Sequence, residues 1–536
     1  MNNIYLIGMC ISMLVYIVIG VVVSRRVKNV DDYYVAGRHA PTFLIAGSLI
    51  ASYVGVALFM GDAAESYGGI FSPIIFLAIM QTAGYIIGAV FFGRYLRRSG
   101  VMTIPEFFMK RFSSKQMKVL SATTAIITMS VYLISIVQGI GTLMNTVTGV
   151  DYKICVTFSL VVFTFITVLS GSRGVLITDT LMASVFTLAM ILAALFISYR
   201  TGGWYKSIEI IAKNPDMTSL LSWAGKPGVL YTSGAENIAW AFIYGIVWMS
   251  VCMVGPWQCS RYLMAKDEST VVKSAIPAVI GISLIEFLAC IAAVFVNIEN
   301  PGLEDTSKVM IWASINMMPR ILGVILMTGI LAAGISSATT FLSLIGASVA
   351  NDVLTKSKLN KITIGRITMV IVSIIVLLLT LTNPPQIFWI AYLGGSIVSA
   401  SWMPVALASI LSKRLTKTGA FCGMLVGFFT CFALKLYSNV VGITLPVYLE
   451  PSFVGMICNI IAMIIGSAVT NVTQEEIQIR QKLFIVPEEE RDLVKMKKTL
   501  QLVNWMIIVG VCVTIFLLVL WAIPYLIYVN SSMNYT

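Results

Sequence analysis

The chain has 536 residues, 58% of them hydrophobic and 11% charged, with a mean hydropathy of +0.91 and a formal net charge of +12. No water-soluble fold of this length could bury so much apolar surface, so the composition requires a polytopic membrane protein and leaves no soluble domain of useful size. The positive charge needs no nucleic-acid partner, because loops facing anionic lipid account for it.

Fourteen apolar stretches reach spanning length: 4–23, 42–67, 70–93, 119–147, 152–169, 175–199, 238–258, 274–297, 319–350, 366–382, 387–411, 418–437, 452–470 and 503–529. The first follows an uncharged Met1-Asn2-Asn3 and precedes Arg25, Arg26 and Lys28. That order is the reverse of a secretory signal peptide and predicts a retained helix with its N-terminus outside. If the spans alternate from there, 28 of the 36 Lys and Arg residues face the cytoplasm, seven of them (Arg94, Arg97, Arg98, Lys110, Arg111, Lys115 and Lys118) in one loop. The asymmetry predicts a plasma-membrane protein with both termini extracytoplasmic.

Between the spans little chain is left over. The outer segment 200–236, with Trp204 and Trp223, reads as a short lid over the outer mouth. The inner segment 471–501 mixes Glu475, Glu476, Glu488, Glu489, Glu490 and Arg491 with Lys495, Lys497 and Lys498, and reads as a solvated amphipathic linker. All nine cysteines (10, 155, 252, 259, 290, 422, 431, 458 and 512) lie in apolar stretches without a Cys-x-x-Cys pair, and read as small core residues. A single histidine, His39, argues against histidine-based catalysis or metal binding.

Two stretches carry helix-weakening residues at mid-depth. The stretch 42–67 contains Gly47, Ser48, Ser52, Gly55 and Gly61, and 238–258 contains Gly245, with Gly255 and Pro256 at its end. Interrupted spans in corresponding positions are expected where two inverted halves build a solute site at the midplane. The halves would be 42–199 and 238–411, five spans each, and an odd number per half requires the inversion. Around them lie 1–41, the outer loop 200–237 and a C-terminal part 412–536.

Charges within the spans are few: Asp62, Glu65, Asp179, Glu286 and, near an outer end, Lys435. Asp62 and Glu65 lie toward the outer end of 42–67, where solvation competes with solute contact as an explanation. Asp179 sits about one turn inside the cytoplasmic end of 175–199, where a carboxylate must meet a cation or water. With Arg261 assigned to the loop after 258, no Lys or Arg is expected at its depth in the neighbouring spans.

The segment Ile330 to Thr340 gathers four hydroxyls, Ser336, Ser337, Thr339 and Thr340. On a helix, Ala333, Ser336, Ser337 and Thr340 fall at i, i+3, i+4 and i+7, so a carbonyl and three hydroxyls share one face. Such a set suits a hard cation such as sodium. It equally suits hydroxyls that bond back to their own helix, or small residues that let helices approach.

Five motifs in order resemble the sodium/solute symporter family over roughly 1–470: Asp31-Asp32-Tyr33-Tyr34-Val35-Ala36-Gly37-Arg38, Thr103 to Phe112, Thr178-Asp179-Thr180, Arg261-Tyr262-Leu263-Met264-Ala265-Lys266, and Ala333 to Ser337. The resemblance implies an all-α polytopic fold of about 14 helices, with the two inverted five-helix repeats of the leucine-transporter fold. It implies a sodium ion held by the carbonyls of Ala51, Val54 and Ala333 and the hydroxyls of Ser336 and Ser337. Members that move a second sodium ion use hydroxyls matching Thr339 and Thr340 and an aspartate matching Asp179, which could instead mark the exit path. Ser52, Tyr53, Tyr132, Trp248 and Pro256 look like substrate-pocket positions of sodium/proline symporters, the nearest subgroup. Tyr53 departs from that subgroup, which has an aspartate there.

The implied activity is sodium-coupled import of a small organic solute, an amino acid such as proline or a small monocarboxylate, by alternating access. A pantothenate-like vitamin acid or a sugar is the alternative substrate, although no sugar-binding set of Gln, Glu and Asn is evident. A channel would need a filter or a charged ring, and an enzyme would need a nucleophile–base pair or a metal cluster; neither pattern is present in the spans. A transporter-like sensor is a further alternative, and no obligate protein partner is implied.

Overall fold

The computed structural model describes residues 3–24, 30–382, 387–488 and 492–533. Arg25, Arg26 and Lys28 of the first loop and Glu489, Glu490 and Arg491 of the inner linker lie outside them.

Among the described residues the regular structure is helical, with one isolated parallel bridge between Ala40 and Ala265. In chain order the elements used below are α1 (Asn3–Ser24), α2 (Thr42–Tyr53), α3 (Leu58–Gly68), α4 (Phe71–Arg98), α5 (Ile104–Phe112), α6 (Lys115–Thr148), α7 (Tyr152–Leu169), α8 (Gly174–Arg200), α9 (Trp204–Lys213), α10 (Gly234–Val254) and α11 (Pro256–Met264). They continue as α12 (Glu268–Val296), α13 (Arg320–Val353), α14 (Lys361–Leu381), α15 (Ile387–Leu411), α16 (Lys417–Val441), α17 (Pro451–Ala468), α18 (Gln474–Phe484) and α19 (Lys497–Ser531).

Among the described residues, twelve helices are long and apolar enough to cross a membrane, and the bent pair α2–α3 makes thirteen. The remaining expected span corresponds to α1, whose apolar part, Ile4–Ile19, is shorter. The protein is therefore an all-helical multi-span membrane protein, because only helices satisfy their own backbone within hydrocarbon. Exposure divides the helices. Within their most apolar windows, α12 is 83% buried and α19 only 22%, so the former is a core element and the latter faces lipid.

Close approach depends on small residues. A Cβ on Gly88 of α4 would stand 2.8 Å from Met253 Cα of α10, and one on Gly466 of α17 would stand 2.8 Å from Gly419 Cα of α16. Van der Waals packing replaces the hydrophobic effect in lipid, so these contacts bring backbones together.

Two segments read as loose are docked. In the outer loop, Trp204 donates to the Leu520 carbonyl at 2.9 Å, and Trp223 packs 4.9 Å from Trp521. The inner segment forms α18, whose first turn is closed by a capping box between Thr473 and Glu476. Arg480 of α18 donates to the Ile410 carbonyl at 2.8 Å, and Arg98 donates to that of Leu483. This part of the expected solvated linker is thus packed against the C-terminal ends of α4 and α15, with arginines placed on orphaned helix-end carbonyls.

Candidate functional site

The site begins where α2 stops. Val54 adopts φ −73° and ψ 92°, and α3 sets off at 40° to α2. Gly55 sits in this break because there is no room for more: a Cβ there would lie 2.9 Å from Ser337 Oγ of α13. A helix end inside a bilayer leaves carbonyls without intrahelical donors. One of them, on Ala51, is met by Ser336 Oγ at 3.0 Å.

Ala333, Ser336 and Ser337 lie on one buried face of α13, opposite the break. Ser337 Oγ is buried with no hydrogen-bond partner, although an orphaned hydroxyl in a membrane core costs free energy. The carbonyl of Ala51, the two serine hydroxyls and the cradle kept open by Gly55 therefore form an oxygen-lined gap. Those donors fit a small hard cation.

One turn further along α13 lies a second polar cluster. Asp179 of α8 accepts from Ser48 at 2.6 Å and from an Arg261 guanidinium nitrogen at 3.0 Å; the same nitrogen donates to Thr340 Oγ1 at 2.6 Å. Asp179 and Arg261 are both buried, at 0% and 1% exposure, so this is an ion pair inside the membrane core. The pairing corrects the expectation that no Lys or Arg reaches Asp179. Arg261 was placed in a loop because the apolar run ends near 258, yet the chain restarts as α11 at Pro256 after the break at Gly255, and every residue of α11 is buried. Thr339 instead bonds back to the Ser336 carbonyl at 3.0 Å.

Beside the break, aromatic rings converge. Tyr53, at the end of α2, packs edge-on to Trp248 of α10 at 5.7 Å, and Tyr132 of α6 stands 6.2 Å from the same indole. Tyr132 also contacts Trp257 and Phe341, which pack on each other at 5.1 Å. Tyr53, Tyr132 and Trp248 are thus brought together. Ser52 is not part of this group, since it accepts from Gln258 at 3.2 Å. Pro256 faces a small crevice with Tyr34, Thr103 and Ser348 instead.

Sequence reasoning missed Tyr244, Trp257, Phe341 and the placement of Arg261. The signal for Arg261 was available, because a Gly-Pro pair in an apolar run marks a break after which a buried helix can resume. Tyr244 donates to Asp62 Oδ1 at 3.0 Å and packs on Phe388 at 5.5 Å. Beyond Phe388 lies an outer cavity of about 330 Å³ lined also by Met60, Gly61, Glu65, Glu304 and Asp305.

A multi-span helical protein with a broken helix, carbonyl and hydroxyl oxygens meeting at the break and a cluster of aromatic rings beside it has the architecture of a membrane carrier. The chain belongs to the sodium:solute symporter family, whose model matches residues 33–427. Similar proteins include the sodium/proline symporter of Salmonella typhimurium, 26% identical over 511 residues that cover 88% of this chain and 95% of the relative. The osmoregulated proline transporter OpuE of Bacillus subtilis is 24% identical, covering 92% and 99%. Among solved structures, a Na+-coupled sialic acid symporter in a substrate-bound outward-open state matches with a TM-score of 0.73 at 18% identity, covering 88% of this chain and 98% of that one. The nucleobase-cation-symport transporter Mhp1 matches at 0.55 and 11%, covering 85% and 99%. At these identities the structural likeness concerns the fold alone.

Proposed function

We propose that this protein is a sodium-coupled symporter of the plasma membrane that imports a small organic solute, proline or a close analogue, by alternating access. The observation that carries the reading is the orphaned Ser337 hydroxyl beside Gly55, where the Ala51 carbonyl and Ser336 converge on a helix break. The sodium ion would be held there by the Ala51, Val54 and Ala333 carbonyls and the two serine hydroxyls, so that binding ties α13 to the broken helix. A solute would sit against Tyr53, Tyr132 and Trp248, and a carboxylate could be held by a half-helix N-terminus without a basic side chain. Relatives that carry proline support that choice of solute.

Residues 42–199 and 238–411 form the two inverted repeats in this reading. Its support is that each begins with an interrupted helix, at Val54–Gly55 and at Gly255. Asp179, Thr339 and Thr340 belong to the inner exit path and hold no second coupled ion, because Arg261 already supplies a cation to the carboxylate. One sodium ion crossing 100 mV supplies about 2.3 kcal/mol. A tenfold gradient adds about 1.4 kcal/mol, and together they support roughly 500-fold accumulation.

Uptake of labelled proline and of a panel of small amino acids into proteoliposomes tests the proposal. Accumulation with an inward sodium gradient and none with potassium is expected; solute flux indifferent to sodium would defeat it. In the same assay Trp248→Ala should weaken solute affinity by about 1–3 kcal/mol with little change in sodium dependence, since it removes an aromatic wall. Equal losses for both ligands would point to general destabilisation instead.

Both termini are proposed to face outside, supported by the Lys and Arg asymmetry. A reporter fused after Thr536 should be accessible on intact cells, and a cytoplasmic signal would mean that one span has been miscounted.

A further inference from the structure

We infer that the group this protein recognises in its solute is a protonated amine, received by Asp62 and Glu286 beside the aromatic cluster. The inference rests on the symport reading and names the substrate chemistry of the same site. It separates amine-bearing solutes from monocarboxylates, vitamin acids and sugars.

Asp62 is 9% exposed and Glu286 of α12 is 0% exposed, so both carboxyl groups are buried in the core. Among the described residues no Lys or Arg lies within ion-pair distance of either. Arg261, the buried guanidinium of this core, is held by Asp179 and Thr340 one turn further along α13. Two carboxylates without a basic partner inside a bilayer are expected where a mobile cation completes the site.

The loose ends of the hydrogen bonding specify what kind of cation. Gln81 of α4 donates to Glu286 Oε2 at 2.8 Å, while Glu286 Oε1 and Gln81 Oε1 are both buried with no donor. Gln81 Oε1 is an acceptor, and Glu286 Oε1 is one when its carboxylate is ionised against a bound cation. An N–H-bearing cation satisfies them, whereas a carboxylate, which brings only further acceptors, would add to the deficit.

The rings suit the same guest. Tyr53 and Tyr132 each lie within electrostatic reach of both Asp62 and Glu286, and Tyr244 donates to Asp62. Aromatic faces carry partial negative charge and attract ammonium groups when water is excluded. The approach is matched as well, since Glu65, Glu304 and Asp305 line the outer cavity, with Lys308 paired to Asp305 at 3.1 Å. A cavity of one sign concentrates ions of the other.

The test uses the full-length protein in proteoliposomes with an inward sodium gradient and matched probes: proline, pyrrolidine, which keeps the ring amine without the acid, and cyclopentanecarboxylate, which keeps the acid without the amine. Butylamine and butyrate form a second pair, and glucose is the neutral control. Transport currents and competition are expected from the amine-bearing members and not from the acid-only members. Asp62→Asn and Glu286→Gln should each weaken amine competition at least tenfold, while the sodium-induced thermal shift of the purified variant persists. Sodium-dependent currents from an acid-only or neutral probe with every amine silent would overturn the inference and leave symport standing, as would variants with unchanged amine affinity. Amine uptake indifferent to sodium would instead remove symport and leave the amine site. Because the probe series on the unmodified protein decides the matter by itself, a variant that fails to fold does not rescue the inference.

Discussion

Replacing Ser336 and Ser337 together by alanine is expected to nearly abolish sodium-driven uptake in a protein that still reaches the membrane folded. Each hydroxyl faces the gap at the α2–α3 break, and a hard cation there has few substitute oxygens. Either single replacement should raise the sodium concentration for half-maximal uptake by roughly tenfold or more, in line with the cost of losing groups around other metal sites. Folding should survive because alanine is smaller than serine, the Ser337 hydroxyl makes no hydrogen bond that would be lost, and the Ser336 variant gives up a single bond to the Ala51 carbonyl, worth about 1 kcal/mol. Uptake measured against sodium concentration decides it. An unchanged half-saturation point in the double variant would return both residues to a packing role.

Breaking the Asp179–Arg261 pair should have the largest effect on the fold itself. Removing one partner strands the other in the membrane core, which costs about 3–5 kcal/mol in comparable buried pairs. Arg261→Gln should therefore lose most folded protein or most turnover, and Asp179→Asn likewise, because Arg261 would keep only the neutral hydroxyls of Thr340 and Ser260 and no counter-charge. The double variant removes both charges and should recover much of the folded yield. Quantified by detergent-solubilised yield and uptake rate, the two single effects should exceed the double effect. Additive losses would show that the two side chains act independently. The reversal potential for the native protein bears on the same cluster: a sodium-to-solute ratio of one is expected, and a ratio of two would assign Asp179 to a second ion.

The spans and their order were legible in the sequence because hydrocarbon imposes one simple demand, an uninterrupted apolar stretch of sufficient length. The face carrying Ala333, Ser336 and Ser337 was legible because helical spacing alone aligns them. The partners across the gap were harder to read. Nothing local reveals that Ser336 meets a carbonyl 285 positions away, or that Gly55 is small because Ser337 stands opposite. Arg261 was misplaced for a physical reason: hydropathy ends a span at the first polar cluster, Gln258 to Arg261, whereas the chain uses those residues inside the core. Gln258 bonds Ser52 and Tyr85, and Arg261 bonds Asp179. The docking of α18 escaped for the converse reason, since a charged helix reads as solvated until its Arg480 is seen at helix-end carbonyls.

The central claim is that sodium binds at the α2–α3 break, and the most direct measurement is the melting temperature of the purified protein as sodium replaces potassium at constant ionic strength. A ligand that binds the native state stabilises it by about 2.7 kcal/mol at one hundred times its dissociation constant. Sodium should raise the melting temperature saturably where potassium does not, and the Ser336→Ala, Ser337→Ala double variant should lose that rise. A native protein that melts identically in both ions, or a double variant that keeps the full sodium shift, would contradict the account.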